Sequence, residues 1–393
     1  MKHRYIFNSR RILSHPACGV NLYEPNSFSG APAMRADLFA PRRALLRRYL
    51  LACYVLMIIY ASLSPFTGWQ APTVSFWRVL SAPLHHAYTA FDALTNWLAY
   101  FPLGLLLALT LMLRYRVGHS LVLATLAAFL LSVSMEFVQG YLPSRASANI
   151  DLLTNTAGAF CGALLAVIIA PQAWFARATR WRIDLLQHGA GVDFGLALVL
   201  LWMFAQINPS LPMLGNVFLA ASPVSLPQTA FSLWGGVAVA ANLWLIGLLL
   251  LTLFRNRQHA VATLLLILCT VALGKFIMAA VLLRSWALML WLNGEAMLGL
   301  LAGLGLLGVS ACLRGKALLA VMLLVALAYM LLAFALMDST APVGAMRLYH
   351  WHYGHLRNFN HMVQIVSALF PLLLWLYAGR AYQRIINHDR RTG

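Results

Sequence analysis

The sequence predicts an all-α fold, a polytopic integral membrane helix bundle of about ten transmembrane helices with both termini in the cytoplasm. Three observations predict it. Hydrophobic residues fill 62% of the 393 positions and charged residues only 10%, whereas a soluble domain carries roughly a quarter charged residues. The apolar residues fall into runs of about 20, the length of one helical crossing of hydrocarbon. Basic residues then alternate between the ends of those runs, as the cytoplasmic bias of Lys and Arg requires.

In chain order, residues 1–43 are polar, basic and broken by Pro16, Pro25, Pro32 and Pro41, which predicts a flexible cytoplasmic leader with no signal peptide. A compact basic lead-in starts at Met34, so Met1 and Met34 both stand as starts. Crossings are predicted over 45–63, 94–113, 119–138, 152–170, 194–211, 233–254, 260–283, a run within 285–313, 317–337 and 362–378. The eighth run exceeds one crossing, and Asn293-Gly294 interrupts it, so it is expected to begin as a kinked or interfacial segment. The stretch 174–188 mixes Arg177, Arg180, Arg182 and Asp184 with apolar residues and predicts an amphipathic helix on the inner leaflet. The organisation expected is a leader over 1–43, a four-helix membrane domain over 44–171 and a membrane domain of about six helices over 172–393.

Charge placement tests the span count independently. With the N-terminus inside, 22 Lys and Arg residues fall in cytoplasmic segments and five in outer ones, namely Arg78, Arg145, Arg284, Arg347 and Arg357; Lys275 lies within a span. The net charge of +18 therefore reads as orientation, and no nucleic-acid partner is expected, because no basic stripe is interleaved with stacking aromatics. Trp69, Trp77, Trp174, Trp181, Trp286, Trp351 and Trp375 sit near span ends as interface anchors. Cys18, Cys53, Cys161, Cys269 and Cys312 show no metal-ligand spacing and read as small buried hydrophobes with reduced thiols.

Polar groups inside an apolar chain cost free energy, so their positions are informative. They gather at one depth. Asn96 opens the second span, Glu136 and Gln139 close the third, and Asp151 and Asn155 open the fourth. Spacings of three and four put Glu136 with Gln139, and Asp151 with Asn155, on single helix faces. The connection over 140–150 is too short for the third and fourth spans to separate, and Arg145 within it is expected to reach either carboxylate. Gly158 and Gly162, flanked by Ala159 and Ala163, have the small-xxx-small spacing of close helix approach.

These residues form an ordered set: Asp92 and Asn96, Pro102-Leu103-Gly104, Glu136 and Gln139, Arg145, then Asp151-Leu152, Asn155 and Gly158. Over roughly 45–171, about a third of the chain, the set resembles the VanZ-like family. The resemblance implies an envelope membrane protein linked to low-level resistance to the glycopeptide teicoplanin.

Two readings of the constellation stay open. In one, Arg145 neutralises Glu136 or Asp151, and Asp151 caps its helix. In the other, Asn96, Glu136, Gln139, Arg145, Asp151 and Asn155 line an outer-leaflet pocket for a membrane lipid or a lipid-linked envelope precursor. An enzymatic alternative is a transferase or hydrolase on a polyprenyl-linked substrate, with Glu136 or Asp151 as base and Arg145 on phosphate. No nucleophile stands beside the carboxylates to complete it, so no catalytic residue is assigned.

In the second half, Lys275 and Glu295 have matching depths and are expected to form an ion pair across the seventh and eighth spans. The segment before the last span carries His350, His352, His355 and His361 with Arg347 and Arg357. Four imidazoles suggest a metal, yet their spacing favours interfacial and headgroup contact, so no metal and no cofactor are expected. The localisation expected is the inner, plasma membrane.

Overall fold

The computed structural model describes residues 45–83, 90–145, 148–189, 191–215, 233–336, 345–351 and 354–392. The leader expected over 1–43 lies outside them. All regular elements among the described residues are helical: α1 (Leu45–Leu63), α2 (Phe76–Ser81), α3 (Ala90–Leu111), α4 (Val117–Gln139), α5 (Asn149–Ile169), α6 (Ala173–Leu185), α7 (Val192–Gln206), α8 (Leu233–Leu253), α9 (Arg257–Leu282), α10 (Gly294–Ser310), α11 (Gly315–Leu336) and α12 (Gly354–Thr392). Eight of these are long and apolar enough to cross a membrane, which makes this a multi-pass membrane protein. The two remaining apolar helices, α7 and α10, are shorter and occupy the fifth and eighth predicted spans.

α3 and α5 form the most extensive helix contact, and small residues are the reason. A β-carbon built on Gly158 would land on the Trp97 carbonyl oxygen, one on Gly162 on that of Phe101, and one on Gly104 on that of Ala159. The backbones therefore touch, and the register, with 158 beside 97 and 162 beside 101, makes the two helices parallel. α8 and α10 repeat the device: a β-carbon on Gly299 would meet Gly236 and Val239, and one on Gly303 would meet Ala240 and Leu243. The register of 299 beside 236 and 303 beside 240 makes α8 and α10 parallel as well.

α8 is the most deeply enclosed candidate span, and α7, α9, α10, α11 and α12 surround it in one apolar core. α1 packs against α3 and α4 on one side and against α7 and α12 on the other. The short helix α6 fits the amphipathic expectation: Trp174 and Trp181 are exposed, while Arg182 bridges to Asp193 of α7 at 2.7 Å. All seven tryptophans assigned as anchors are exposed. Among the four described cysteines, Cys53 and Cys161 are half-buried and Cys269 and Cys312 are exposed, so the last two face outward instead of filling the core.

The largest departure from expectation concerns Lys275 and Glu295. Lys275 is fully buried, but its Nζ donates to the carbonyl oxygens of Asn208 at 2.5 Å and Leu211 at 3.0 Å and forms no ion pair with Glu295. The cause is the chain after α7, where residues 208–211 and 213–215 are buried without regular structure. Carbonyls past a helix C-terminus lack intrahelical partners and carry the negative end of its dipole, so they suit an ammonium. Glu295 sits in the first turn of α10, behind the Asn293 cap, where the opposite end of a dipole favours a carboxylate. Asn208 extends the same network, donating to Asn360 Oδ1 at 3.0 Å and accepting from the Ser210 hydroxyl at 2.8 Å. The Tyr349 hydroxyl donates to Asn360 Oδ1 at 2.7 Å, and burial pushes its pKa up to about 12, so it stays a donor at neutral pH.

Two outcomes follow. Gly158→Leu should destabilise the detergent-solubilised protein by at least the ~1–3 kcal/mol of core overpacking, while Gly118→Leu, with open space around its Cβ, should leave the melting temperature unchanged. Lys275→Met should cost about 1.5–3 kcal/mol or more by stranding two carbonyls. Its effect should add to that of Glu295→Gln in a double-mutant cycle; a coupling above ~0.5 kcal/mol would restore the direct pair.

Candidate functional site

One end of the bundle gathers the C-termini of α1 and α4 and the N-termini of α3, α5 and α12. Antiparallel alternation brings these ends together, and the α3–α5 backbone contact holds Asn96 opposite Asp151. Asn96 Nδ2 donates to Asp151 Oδ1 at 2.6 Å. Glu136 is buried at the end of α4, and its Oε2 accepts from the Ala148 amide at 3.1 Å, just ahead of α5. The carboxylate thus meets an N–H at the foot of a helix, as both the orphan amides and the dipole favour. Asn155, one turn beyond Asp151 in α5, donates to the Ser132 hydroxyl at 2.9 Å, while its own Oδ1 is buried without a partner.

Arg145 does not neutralise a carboxylate. Its Nε donates to Ser64 O at 3.2 Å, and its Nη2 donates to Ala61 O at 2.7 Å and Ser64 O at 2.9 Å. With the Asn358 amide oriented so that its oxygen faces the guanidinium, that oxygen accepts from Nη1 at 3.1 Å. Gln139 Nε2 adds a bond to Ser62 O at 3.0 Å. Arg145 therefore closes the C-terminus of α1 and ties it to the start of α12, a role fitted to the planar fork of guanidinium. Burial lowers the pKa of this guanidinium, and the Arg357 cation lowers it further. Arg145 lines the same cavity as both carboxylates, but the carbonyls left open at the end of α1 take its hydrogen bonds.

All six residues picked out by sequence, Asn96, Glu136, Gln139, Arg145, Asp151 and Asn155, line one cavity of about 530 Å³. Asp92, Thr95, Tyr100, Ser144, Asn358 and Phe359 join them. Asn358 and Phe359 were not anticipated as site residues, because they lie more than 200 residues further along the chain; the polar string Arg357-Asn358-Phe359-Asn360 just before an apolar run was the available signal. Among the described residues three carboxylates line the cavity against one guanidinium already engaged with backbone, so its chemistry is that of an acceptor. Such a surface suits a ligand rich in hydroxyl or ammonium donors.

Beside it lies a second cavity of about 510 Å³, lined by Pro72, Val74, Phe76, Trp77, Phe137 and Tyr141 among others, with Glu136 in the lining of both. The Phe76 and Phe137 rings meet edge to face at 5.5 Å, which fixes α2 against α4. A polar chamber thus adjoins an aromatic groove.

His350 packs edge to face on Trp351 at 4.7 Å, no group of three metal-binding side chains occurs among the described residues, and His352 and the side chain of His355 lie outside them. Lys275 belongs to the second-half core instead.

Arg145→Gln should cost about 1.5–3 kcal/mol in chemical unfolding, the worth of charge-assisted bonds to carbonyls. Its effect should be additive with Glu136→Gln, whereas strong coupling between the two would mean that the guanidinium serves the carboxylate after all.

Residues 48–170, which hold five of the helices around this end, match the family model described as VanZ/LLP1. No curated protein and no solved structure matches the chain.

Proposed function

We propose, starting from the VanZ/LLP1 match over 48–170, that this chain is a plasma-membrane protein with both termini in the cytoplasm. Its acceptor-lined cavity faces the outer leaflet and receives the polar head of an envelope lipid or lipid-linked wall precursor. The observation that carries the reading is the adjoining pair of chambers, one polar and one aromatic, meeting at Glu136. An amphiphile has this division of chemistry. Hydroxyl or ammonium donors of the head would meet Asp92, Glu136, Asp151 and the unpartnered Oδ1 of Asn155, and the chain would lie along Phe76, Trp77 and Phe137.

The scarcity of Lys and Arg at this end supports an outward orientation. A protein that holds or shields a wall precursor also fits the family's link with low-level teicoplanin resistance. The transferase or hydrolase reading is weaker, because Arg145 is committed to backbone carbonyls and withdrawn from a substrate phosphate.

The test is native mass spectrometry of the full chain purified from membranes. Wild type should retain a lipid that Asn155→Leu and Trp77→Ala each release, and absence of any lipid from wild type would end the proposal. Orientation has its own check in whole cells, with Cys269 and Cys312 replaced by serine. A membrane-impermeant maleimide should label Ser144→Cys and spare Tyr115→Cys, and the reverse pattern would sink the outward assignment.

A further inference from the structure

At the other end of the bundle lies a cavity of about 450 Å³ formed by the segment after α6, the end of α8, the start of α11 and the last part of α12. It is separate from the first: Arg384 lines this one and Asn358 the other, so helical rise sets them on the order of 39 Å apart along α12. Leu251, Leu318, Leu319, Ala381 and Ile385 form its apolar lining, and Gln187, His188, Thr252 and Arg384 its polar lining. No carboxylate of the described residues is in the lining.

The polar lining is held in place by backbone and side chain alike. Gln187 N donates to Leu253 O at 2.8 Å and Arg255 N to Leu185 O at 3.1 Å, so the strip carrying His188 is pinned to the end of α8. Arg255 Nε donates to Leu186 O at 2.8 Å, and its Nη2 contacts His188 Nε2. Arg384 Nη2 donates to the Tyr377 hydroxyl at 2.9 Å, which is itself 2.8 Å from the Thr252 hydroxyl. That chain fixes the guanidinium, yet its buried Nη1 has no acceptor. Burying an ionised donor without an acceptor is costly. The N-terminus of the 22-residue helix α11 opens at the same cavity through Gly315 and adds positive potential.

We infer that this cavity is a binding site for a phosphate-bearing anion, with Arg384 as its principal contact and His188 and the α11 N-terminus around it. The apolar lining would accommodate the first carbons of an acyl chain. The same phosphate chemistry is offered by the headgroup of a phospholipid at this membrane surface and by a free phosphate, and the experiment separates the two.

The full chain is placed in phosphatidylcholine nanodiscs, and two probes are compared by native mass spectrometry and thermal melting: phosphatidic acid within the disc and inorganic pyrophosphate added outside. Phosphatidic acid should be retained and should raise the melting temperature. Arg384→Gln should weaken retention about tenfold, the loss of one charge-assisted contact, while the exposed Arg180→Gln should match wild type. Protection by pyrophosphate alone would keep the site and assign it to a soluble phosphate. Equal retention in wild type and Arg384→Gln, or binding of neither probe, overturns the inference. If Arg384→Gln does not fold, Ile385→Trp narrows the cavity without changing charge and must lower retention likewise.

Discussion

The backbone-to-backbone contact of α3 with α5 is the constraint from which the first cavity follows. Glycine at 104, 158 and 162 removes the side chains that would separate the two helices, so carbonyls of one lie where β-carbons of the other would be. In lipid there is little hydrophobic drive to bring apolar helices together, and such close packing is what holds them. Its functional yield is at the helix ends. Asn96 and Asp151 come within hydrogen-bond reach, and the short link from α4 delivers Glu136 to the Ala148 amide. Arg145 then fastens α1 and α12 around that core.

Much of this was legible in the sequence because the bilayer enforces simple rules. A polar residue in an apolar run is expensive, so the six cavity-lining residues stood out, and the short connection over 140–150 required neighbouring helices. The small-residue spacing in α5 foretold close approach, although its partner, α3, and the role of Gly104 needed the structure. Spans were found within a few residues of the helices at most positions. α12 outran its prediction, since its polar flanks stay helical beyond the apolar window.

What the sequence hid was partner choice. Charge pairing by depth suggested Arg145 with a carboxylate and Lys275 with Glu295, and in both cases backbone carbonyls won. The reason is shared: cations near helix C-termini find acceptors that already lack partners and carry partial negative charge. Apolar-run counting cannot reveal that 208–215 turns inward after α7, because a buried irregular segment has the composition of a loop. Asn358 was hidden by distance along the chain, and only the packing of α12 on α1 makes it part of the site.

The length of α12 has a consequence for any rearrangement of its sequence. One continuous helix supplies Asn358 to the first cavity and Arg384 to the second, so their relative azimuth is set by the number of residues between them. Adding or removing one residue there turns one end against the other by about 100°. Natural variation in this protein should therefore change exposed side chains between those two positions more readily than the interval itself.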